Sequence, residues 1–343
     1  MGEKILRVGI VGHGYWGPNL LRNFMQSSVT TVDSVFDLDE QKLAPINQLY
    51  PGVETFSQYD QLLANKNIDA IAIATPVSTH FDLARQALDA GKHVLLTKPF
   101  TSSSEQARIL INSAKEKKLT LMVDHTFVYT GAVRKIKDLI SDNHLGEIYY
   151  YDSTRVNLGL FQHDVNVLWD LAVHDLTIMD YVLPQQPIGV TATGMQHVPG
   201  EPENVAYLTV FFENNLIAHI NVNWLAPVKL RQTLVGGSEK MIVYNDLEPS
   251  DKIRIYDRGV SYDNDPENIY QMLISYRSGD MLAPHLDLTE ALRTEVLHFA
   301  ECINSGKQPL TDGESGYRVV KILEAADASM AKQGQYVELD WTS

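Results

Sequence analysis

Short apolar runs alternate with amphipathic stretches through the first 125 residues of the chain. The apolar runs predict strands at residues 5–11, 31–37, 68–74, 92–97 and 119–125. The amphipathic stretches predict helices at residues 17–26, 59–65, 79–91 and 103–118. Near-continuous apolar strands separated by helices are typical of a parallel sheet that is covered on both faces. The pattern therefore predicts a doubly wound α/β domain.

The pattern changes after about residue 145, where strands follow one another with short connections. Strands are predicted at residues 146–157, 188–197, 204–213, 216–224, 229–237 and 239–245. In the segment 216–224, apolar residues at even positions alternate with a more polar set, as expected for an open, largely antiparallel sheet. Its polar face could be solvated or could meet another subunit. Helices are predicted near 167–182, 287–304 and 314–332.

We therefore predict two domains, residues 1–125 and 126–343, and the length of 343 residues allows each its own core. The formal net charge of -15 argues against nucleic acid or an anionic membrane as the main partner. The single cysteine, Cys302, cannot form an internal disulfide. No apolar run reaches the length of a membrane span, and the first residues lack the pattern of a secretory signal. These features favour a cytoplasmic protein.

A glycine pattern, G-x-G-x-x-G, follows the first predicted strand and opens the first predicted helix. Such glycines allow a tight turn and let a pyrophosphate approach the backbone N–H groups at the helix N-terminus. The candidate cofactor-binding residues here are Gly12, Gly14, Tyr15, Trp16 and Gly17. The alternative is a glycine-rich turn that binds no nucleotide.

Asp37 ends the second predicted strand, twenty residues after Gly17. A carboxylate at this position can accept hydrogen bonds from the adenosine ribose hydroxyls of a dinucleotide. The turn that follows contains Asp39 and Glu40 and no arginine that could hold a 2′-phosphate. We therefore expect NAD as the cofactor in preference to NADP.

Two further strand ends carry candidate residues for the same crevice. The third predicted strand leads into Thr75 and Pro76, and His80 follows. Lys98 ends the next strand, directly before Pro99, which holds the lysine backbone extended. Each has an ordinary alternative, since a lysine at a strand end can extend to water and His80 can be a residue of a helix start.

The helix predicted at 167–182 is apolar around most of its circumference, so it is expected to be largely buried. Asp170 and His174 are four residues apart and share a face, which Thr177 and Tyr181 extend. This polar stripe needs partners, which are either structural hydrogen bonds or a ligand. We expect no metal here, because neither a cysteine nor a His-x-x-x-His pair supports one.

Together these motifs, with "AGKHVLLTKP" and the closing "EVLHFAECINSGKQPLTDGESGYRVVKILEAADAS", resemble the glucose-fructose oxidoreductase and inositol dehydrogenase family, known as Gfo/Idh/MocA. The resemblance covers essentially the whole chain, in order. It implies an N-terminal Rossmann domain with a doubly wound parallel sheet. It also implies a C-terminal α+β domain with a large open, mostly antiparallel sheet, which often forms a homodimer or homotetramer interface.

The resemblance also implies roles for three catalytic residues. Lys98 matches the lysine that contacts both the substrate hydroxyl and the cofactor. His174 matches the acceptor of the hydroxyl proton, and Asp170 matches its helper, which also binds substrate. Histidine suits this step because it titrates near neutral pH, and an ammonium group favours a developing alkoxide. Thr97 departs from the family, in which glutamate commonly precedes the lysine.

Further substrate contacts are predicted at His125, Arg155 and Asn157. The resemblance favours an NAD-dependent dehydrogenase that acts on a ring hydroxyl of a sugar or nucleotide sugar, at C3. The alternatives are an inositol or polyol dehydrogenase, a ketosugar reductase, and a non-catalytic NAD-binding sensor. A sensor has no need to retain Lys98 together with the Asp-x-x-x-His pair.

Overall fold

The computed structural model describes residues 5–159, 161–262 and 274–342 of the chain. The chain forms two compact units. Unit 1 contains residues 1–130 and 289–321, and unit 2 contains residues 131–288 and 322–343. The division at 130 lies near the boundary expected at 125, but residues 289–321 return to unit 1. Packing decides this return: Phe299 of the returning segment meets Phe24 edge to face, with ring centroids 6.4 Å apart.

Unit 1 contains a six-stranded sheet in which the described strands are all parallel. Its strands are β1 (Leu6–Val11), β2 (Thr30–Phe36), β3 (Glu54–Phe56), β4 (Ala70–Ile73), β5 (His93–Thr97) and β6 (Leu121–Asp124). The order across the sheet is β3-β2-β1-β4-β5-β6, that of a dinucleotide-binding Rossmann fold. In such a sheet the reversal of strand order beside β1 marks the ligand crevice.

The helices of unit 1 are α1 (Gly17–Gln26), α2 (Glu40–Leu49), α3 (Tyr59–Ala64), α4 (Val77–Asp89), α5 (Ser104–Lys117) and α8 (Ala291–Ser305), with a short 3-10 helix at Thr126–Tyr129. Helix α2 is not among the helices predicted from sequence, and it contains Pro45, a residue that usually interrupts a helix. Its start is stabilised by Asp39, whose carboxylate accepts a hydrogen bond from Gln41 N over 3.0 Å.

Unit 2 is built on a nine-stranded sheet of order β16-β13-β12-β11-β7-β10-β9-β8-β17. The strands are β7 (Ile148–Leu158), β8 (Pro187–Met195), β9 (Val205–Phe212), β10 (Ile217–Asn223), β11 (Leu225–Gly237), β12 (Met241–Asn245), β13 (Ile253–Tyr256), β16 (Met281–Leu282) and β17 (Val337–Glu338). A separate pair is formed by β14 (Gly259–Tyr262) and β15 (Ile274–Arg277). Strands β7 and β10 pair in parallel, and the other described pairings of this sheet are antiparallel.

The helices of unit 2 are α6 (Gly131–Ser141), a π-helical turn at Leu168–Ala172, and α7 (Val173–Val182), which continues that turn. The last helix, α9 (Gly313–Ala331), contributes residues to both units. Strand β10 has the two faces that its sequence predicts, since Ala218, Ile220 and Val222 are buried while His219 and Asn221 are half-exposed. The predicted fold class is confirmed in both parts.

None of the helices among the described residues has the length and the apolar composition needed to cross a membrane.

Candidate active site

The glycine-rich loop joins β1 to α1. Gly12 has a φ of +91°, and a Cβ there would lie 2.5 Å from Ala74 O. A Cβ at Gly17 would collide with Gly12 O, so the loop closes tightly against the start of α1. At Gly14, apart from the glycine itself and its two chain neighbours, no heavy atom of the described residues lies within 4 Å of the position that a Cβ would take. This open space beside the helix start fits a pyrophosphate.

Asp37 follows β2 and holds the loop from its other side. Its carboxylate accepts hydrogen bonds from His13 N over 2.7 Å and from Asp39 N over 2.9 Å. Lys42 Nζ lies 3.8 Å from Asp37 Oδ1. Asp37 therefore fixes the glycine-rich loop and the start of α2 to the end of β2. A carboxylate at this position could accept hydrogen bonds from an adenosine ribose.

The two aromatic residues of the loop differ in their surroundings. The side chain of Tyr15 is 88% exposed, whereas Trp16 is half-buried. The indole Nε1 of Trp16 donates a hydrogen bond to Asp124 Oδ2 over 2.6 Å, at the end of β6. Both aromatic residues are predicted cofactor contacts, and for Trp16 the structure adds an inward hydrogen bond that ties the loop to the sheet.

A second carboxyl group lies beside Asp124. Glu295 of α8 is fully buried, and burial together with the neighbouring Asp124 raises its pKa well above the usual range. Burial also raises the pKa of Asp124, while hydrogen bonds from Thr126 and Trp16 act in the opposite direction. The arrangement suits a protonated Glu295 next to a hydrogen-bonded Asp124. Neither residue was predicted, because isolated acidic residues gave no pattern.

His80, a predicted cofactor contact, lies in the interior of the fold. The residue is 0% exposed. Its ring nitrogens lie 2.8 Å from Thr75 O and 2.9 Å from Pro99 O, and its Nε2 is 3.4 Å from Thr97 Oγ1. His80 thus links the loops that follow β4 and β5 from within the fold. Sequence could not show this, because a histidine near a helix start is compatible with either position.

The other predicted residues of this region differ in their exposure. Thr75 is half-exposed and Pro76 is exposed. Lys98 is half-exposed after β5, and its peptide bond to Pro99 is cis. His125, after β6, is buried, and burial together with the nearby charge of Lys98 lowers its pKa to about 3. His125 is therefore neutral near pH 7 and can donate or accept a hydrogen bond without carrying a charge.

In unit 2, Asp170 and His174 lie on consecutive helical segments. Asp170 belongs to the π-helical turn and His174 to the first turn of α7. Both are half-exposed, although their immediate neighbours Trp169, Leu171, Val173 and Asp175 are buried. π-helical turns are rare and occur frequently at functional sites. The pair is thus the accessible part of an otherwise buried segment.

The predicted polar stripe does not continue along α7 as a surface. Thr177 is buried, and its hydroxyl donates to Val173 O over 2.6 Å. Tyr181 is half-buried, with Lys137 Nζ 5.8 Å from its ring centroid. The stripe therefore separates into an accessible pair at its start and residues with structural contacts further along.

Trp224 orients Asp170. This tryptophan lies between β10 and β11, is fully buried, and donates from Nε1 to Asp170 Oδ2 over 3.1 Å. The alternation of residues 216–224 predicts that Trp224 is buried, which is confirmed, but it does not predict this hydrogen bond. Alternation along a strand shows which face a residue occupies and not which helix it meets.

Arg155 is a predicted substrate contact, and its environment in the structure is that of a structural residue. The side chains of Arg155 and Asp175 are 4% and 2% exposed and form an ion pair over 2.7 Å. Ser153 Oγ also donates to Asp175, over 2.7 Å. Burial opposes the charge on Arg155, but Asp175 raises its pKa overall. The pair fixes α7 to β7, while Asn157, further along β7, stays half-exposed.

Comparison with known families gives two matches along the chain. Residues 6–125 match the model of an oxidoreductase family with an NAD-binding Rossmann fold, and residues 133–243 match the Gfo/Idh/MocA C-terminal domain. The chain belongs to the Gfo/Idh/MocA family. It is therefore an oxidoreductase, and its cofactor is NAD.

Relatives in the Gfo/Idh/MocA family align over most of the chain. A UDP-N-acetylglucosamine 3-dehydrogenase of Acidithiobacillus ferrooxidans is 25% identical over 92% of this chain and 94% of its own length. An NAD-dependent scyllo-inositol 2-dehydrogenase of Bacillus subtilis is 24% identical over 84% of this chain and 83% of its own. The crystal structure of GenD2 from gentamicin A biosynthesis, in complex with NAD, has a TM-score of 0.83 at 22% identity and covers 98% of this chain and 97% of that one. This last likeness shows the shared fold.

The geometry of the glycine-rich loop and Asp37 in unit 1 is compatible with the NAD cofactor of the family. The open space beside Gly14, the tight closure of Gly12 and Gly17, and the anchored Asp37 are the parts that such a cofactor needs. The sequence patterns did not indicate the supporting residues Glu295 and Asp175, because each contacts a group that is far away in sequence.

Proposed function

We propose that this oxidoreductase transfers a hydride between a secondary ring hydroxyl of a sugar or nucleotide sugar, at C3, and the nicotinamide of NAD. The observation that carries the proposal is the accessible pair Asp170 and His174 on a buried helical segment, with Asp170 anchored by Trp224. The UDP-N-acetylglucosamine 3-dehydrogenase relative supports the substrate class, since its alignment spans nearly the whole chain.

In this proposal, NAD binds to the glycine-rich loop and to residues at the strand ends of unit 1. Gly12, Gly14 and Gly17 would receive the pyrophosphate, and Asp37 would accept hydrogen bonds from the adenosine ribose. Tyr15, Trp16, Thr75 and Pro76 would line the cofactor, and His80 would hold the two loops between which it lies. NAD, when bound, supplies the hydride acceptor.

The proposed chemistry on the substrate belongs to three side chains. When the carbon loses its hydrogen with the bonding electrons, the hydroxyl must lose its proton, and His174 accepts that proton on a ring nitrogen. Asp170 binds the substrate and supports the charge that His174 gains. Lys98 stabilises the alkoxide that develops on the hydroxyl oxygen.

Two further residues are proposed to position the sugar. His125 is neutral because burial and Lys98 disfavour its charged form, so it can bind a hydroxyl group without competing for its proton. Asn157 is half-exposed at the end of β7 and offers both a donor and an acceptor. Arg155 is not included, because Asp175 occupies it in the interior.

The second candidate function is oxidation of a cyclic polyol, which the scyllo-inositol 2-dehydrogenase relative supports. The same residues would serve it, and the same site run in reverse would make a ketosugar reductase. A sensor that only binds NAD would have no use for an accessible Asp170 and His174.

Turnover measurements separate these functions. The protein is incubated with NAD and with UDP-N-acetylglucosamine, other nucleotide sugars, free sugars, sugar phosphates or inositols, and NADH formation is followed by absorbance. We expect turnover with a nucleotide sugar, loss of turnover in His174→Ala and Lys98→Ala, and retained NADH binding in His174→Ala. Turnover with inositol alone would favour the second candidate. NADH binding without turnover across the panel would favour a sensor.

We also propose that a second copy of the chain covers the outer face of the nine-stranded sheet, giving a homodimer or homotetramer. Tyr207 and Ile217 are exposed on neighbouring strands of this face, and Tyr207 stacks on His219 with ring centroids 6.3 Å apart. Light scattering of the wild type and of Tyr207→Glu tests this: the mutation should reduce the molar mass. A monomeric wild type would contradict it.

A further inference from the structure

The π-helical turn that carries Asp170 has support from outside the helix. In this turn the backbone N–H of Val173 donates to Leu168 O, five residues earlier, which widens the helix before α7 begins. Such turns are rare in proteins, so we expect this one to depend on contacts with its surroundings.

The start of the turn is fixed by Asn166. Its Oδ1 accepts hydrogen bonds from Leu168 N over 3.0 Å and from Trp169 N over 3.4 Å, as a helix N-cap does. Its Nδ2 donates to Asp327 Oδ1 over 2.8 Å. The cap is thus itself held by a carboxylate from α9.

The same carboxylate holds the turn at a second point. Trp169 Nε1 donates to Asp327 Oδ2 over 2.7 Å, so the two oxygens of Asp327 accept from two residues that flank the beginning of the turn. Burial raises the pKa of Asp327, and the hydrogen bonds from Asn166 and Trp169 act against that change. The charges of Glu203 and Glu324 act in the same direction as burial and raise the pKa of Asp327.

We infer that Asp327 is a positioning residue, which acts through Asn166 and Trp169 to hold the π-helical turn and so to place Asp170. Trp224, between β10 and β11, donates a hydrogen bond to the carboxylate of Asp170. The ion pair of Arg155 with Asp175 holds the helix that carries His174. This inference rests on the proposed role of Asp170 in the reaction, and it adds a residue from the last helix to the support of the site.

The first test measures hydrogen exchange and needs no substrate. In Asp327→Asn, one oxygen can still accept a hydrogen bond but the amide nitrogen cannot, so residues 166–173 should exchange faster than in the wild type. Trp169→Phe removes one of the two donors and should give an intermediate rate. Glu213→Gln, which neutralises an exposed carboxylate after β9, should leave these rates unchanged. Unchanged exchange of residues 166–173 in Asp327→Asn would overturn the inference.

The second test separates positioning from loss of folded protein. With UDP-N-acetylglucosamine or scyllo-inositol as the probe, Asp327→Asn should lower kcat by about tenfold and change KM by less than about twofold. The concentration of active protein is taken from the NADH-binding stoichiometry. In an Asp170→Asn background, Asp327→Asn should cause no further loss, because the residue that it positions is already disabled. If Asp327→Asn lowered the kcat of Asp170→Asn by a further factor of about ten, the inference would be overturned.

The two tests distinguish the failure of this inference from that of the proposed function. If neither probe is turned over, or if Asp170→Asn and His174→Ala keep wild-type rates, the proposed function fails. The exchange rates of residues 166–173 decide separately whether Asp327 holds the turn.

Discussion

The indole Nε1 of Trp16 and the carboxylate of Asp124 are joined by a hydrogen bond of 2.6 Å, which connects the glycine-rich loop after β1 to the end of β6. In the order of the sheet, β4 and β5 lie between β1 and β6, so the bond joins the ends of two strands that are not neighbours. It makes the shape of the glycine-rich loop depend on a buried carboxylate far away in sequence.

We expect Trp16→Phe to destabilise the protein by about 1–3 kcal/mol, because Asp124 keeps its burial and loses a donor. NADH should also bind more weakly, since the loop loses its tie to the sheet. Urea denaturation and NADH titration measure the two effects. Tyr15→Phe is the control for the stability measurement. Because Tyr15 is exposed, this variant should have the same free energy of unfolding as the wild type.

Glu295→Gln should change how stability depends on pH. A carboxyl group whose pKa is raised by folding holds a proton that the unfolded chain has released, so the wild type loses stability as pH rises above the ordinary glutamate pKa of 4.5. Glutamine cannot ionise and avoids this loss. The Tm difference, variant minus wild type, should therefore grow from about pH 5 to about pH 8.

The control for Glu295 is Glu213→Gln, in which an exposed carboxylate is neutralised. It should give a Tm difference that is nearly constant over the same pH range. A constant difference for Glu295→Gln as well would show that Glu295 is ionised in the folded protein.

Breaking the buried ion pair should be costly. We expect Arg155→Met to lower the free energy of unfolding by about 3–5 kcal/mol, because Asp175 would remain buried without its counter-charge. The double variant Arg155→Met with Asp175→Leu should recover much of the loss. Lys117→Met, which breaks the exposed pair with Asp89, should cost less than about 1 kcal/mol. If Arg155→Met raised the substrate KM without loss of stability, Arg155 would be a substrate contact after all.

The surroundings of Asp37 predict a change in cofactor preference. In Asp37→Ser the carboxylate that repels a 2′-phosphate is removed. Lys42, whose Nζ lies 3.8 Å from that carboxylate in the wild type, can then pair with the phosphate. The ratio of NADPH to NADH affinity should rise by about tenfold, or ~1.4 kcal/mol. Adding Lys42→Ala should cancel the gain. An unchanged ratio in Asp37→Ser would contradict the proposed ribose contact.

The glycines of the loop offer a matched pair of variants. Gly14→Ala places its methyl group in open space, so it should leave the Tm close to wild type and weaken NADH binding, because the cofactor needs that space. Gly17→Ala directs its methyl group at Gly12 O, so it should lower the Tm without any ligand. Normal NADH affinity in Gly14→Ala would show that the pyrophosphate lies elsewhere.

Much of the fold follows from local pattern. The alternation of apolar strands and helices predicts the parallel sheet of unit 1, and strict alternation in residues 216–224 predicts both faces of β10. Helix α2 escaped prediction because Pro45 interrupts its pattern, although the Asp39 cap was present in the sequence. The return of residues 289–321 to unit 1 could not be predicted, because an amphipathic helix does not specify the core against which it packs.

The candidate site divides in the same way. Spacing along the chain predicts a cofactor-binding role for Gly12, Gly14, Gly17 and Asp37, since the backbone geometry that suits a pyrophosphate constrains consecutive residues. The sequence could not show that Asp175 buries Arg155, that two carbonyl oxygens hold His80 in the interior, or that Asp327 reaches Asn166 and Trp169. These facts depend on partners up to 161 residues away along the chain, which only the packed structure brings together.

The sequence by itself thus determined the fold class, and it predicted the cofactor-binding role of the glycine-rich loop and the shared helix face of Asp170 and His174, because period and spacing along one segment encode them. Only the tertiary structure decided which polar residues are accessible for chemistry and which are structural. The physical reason is that a buried charge or donor must have a partner, and that partner is chosen by three-dimensional packing and not by its position in the sequence.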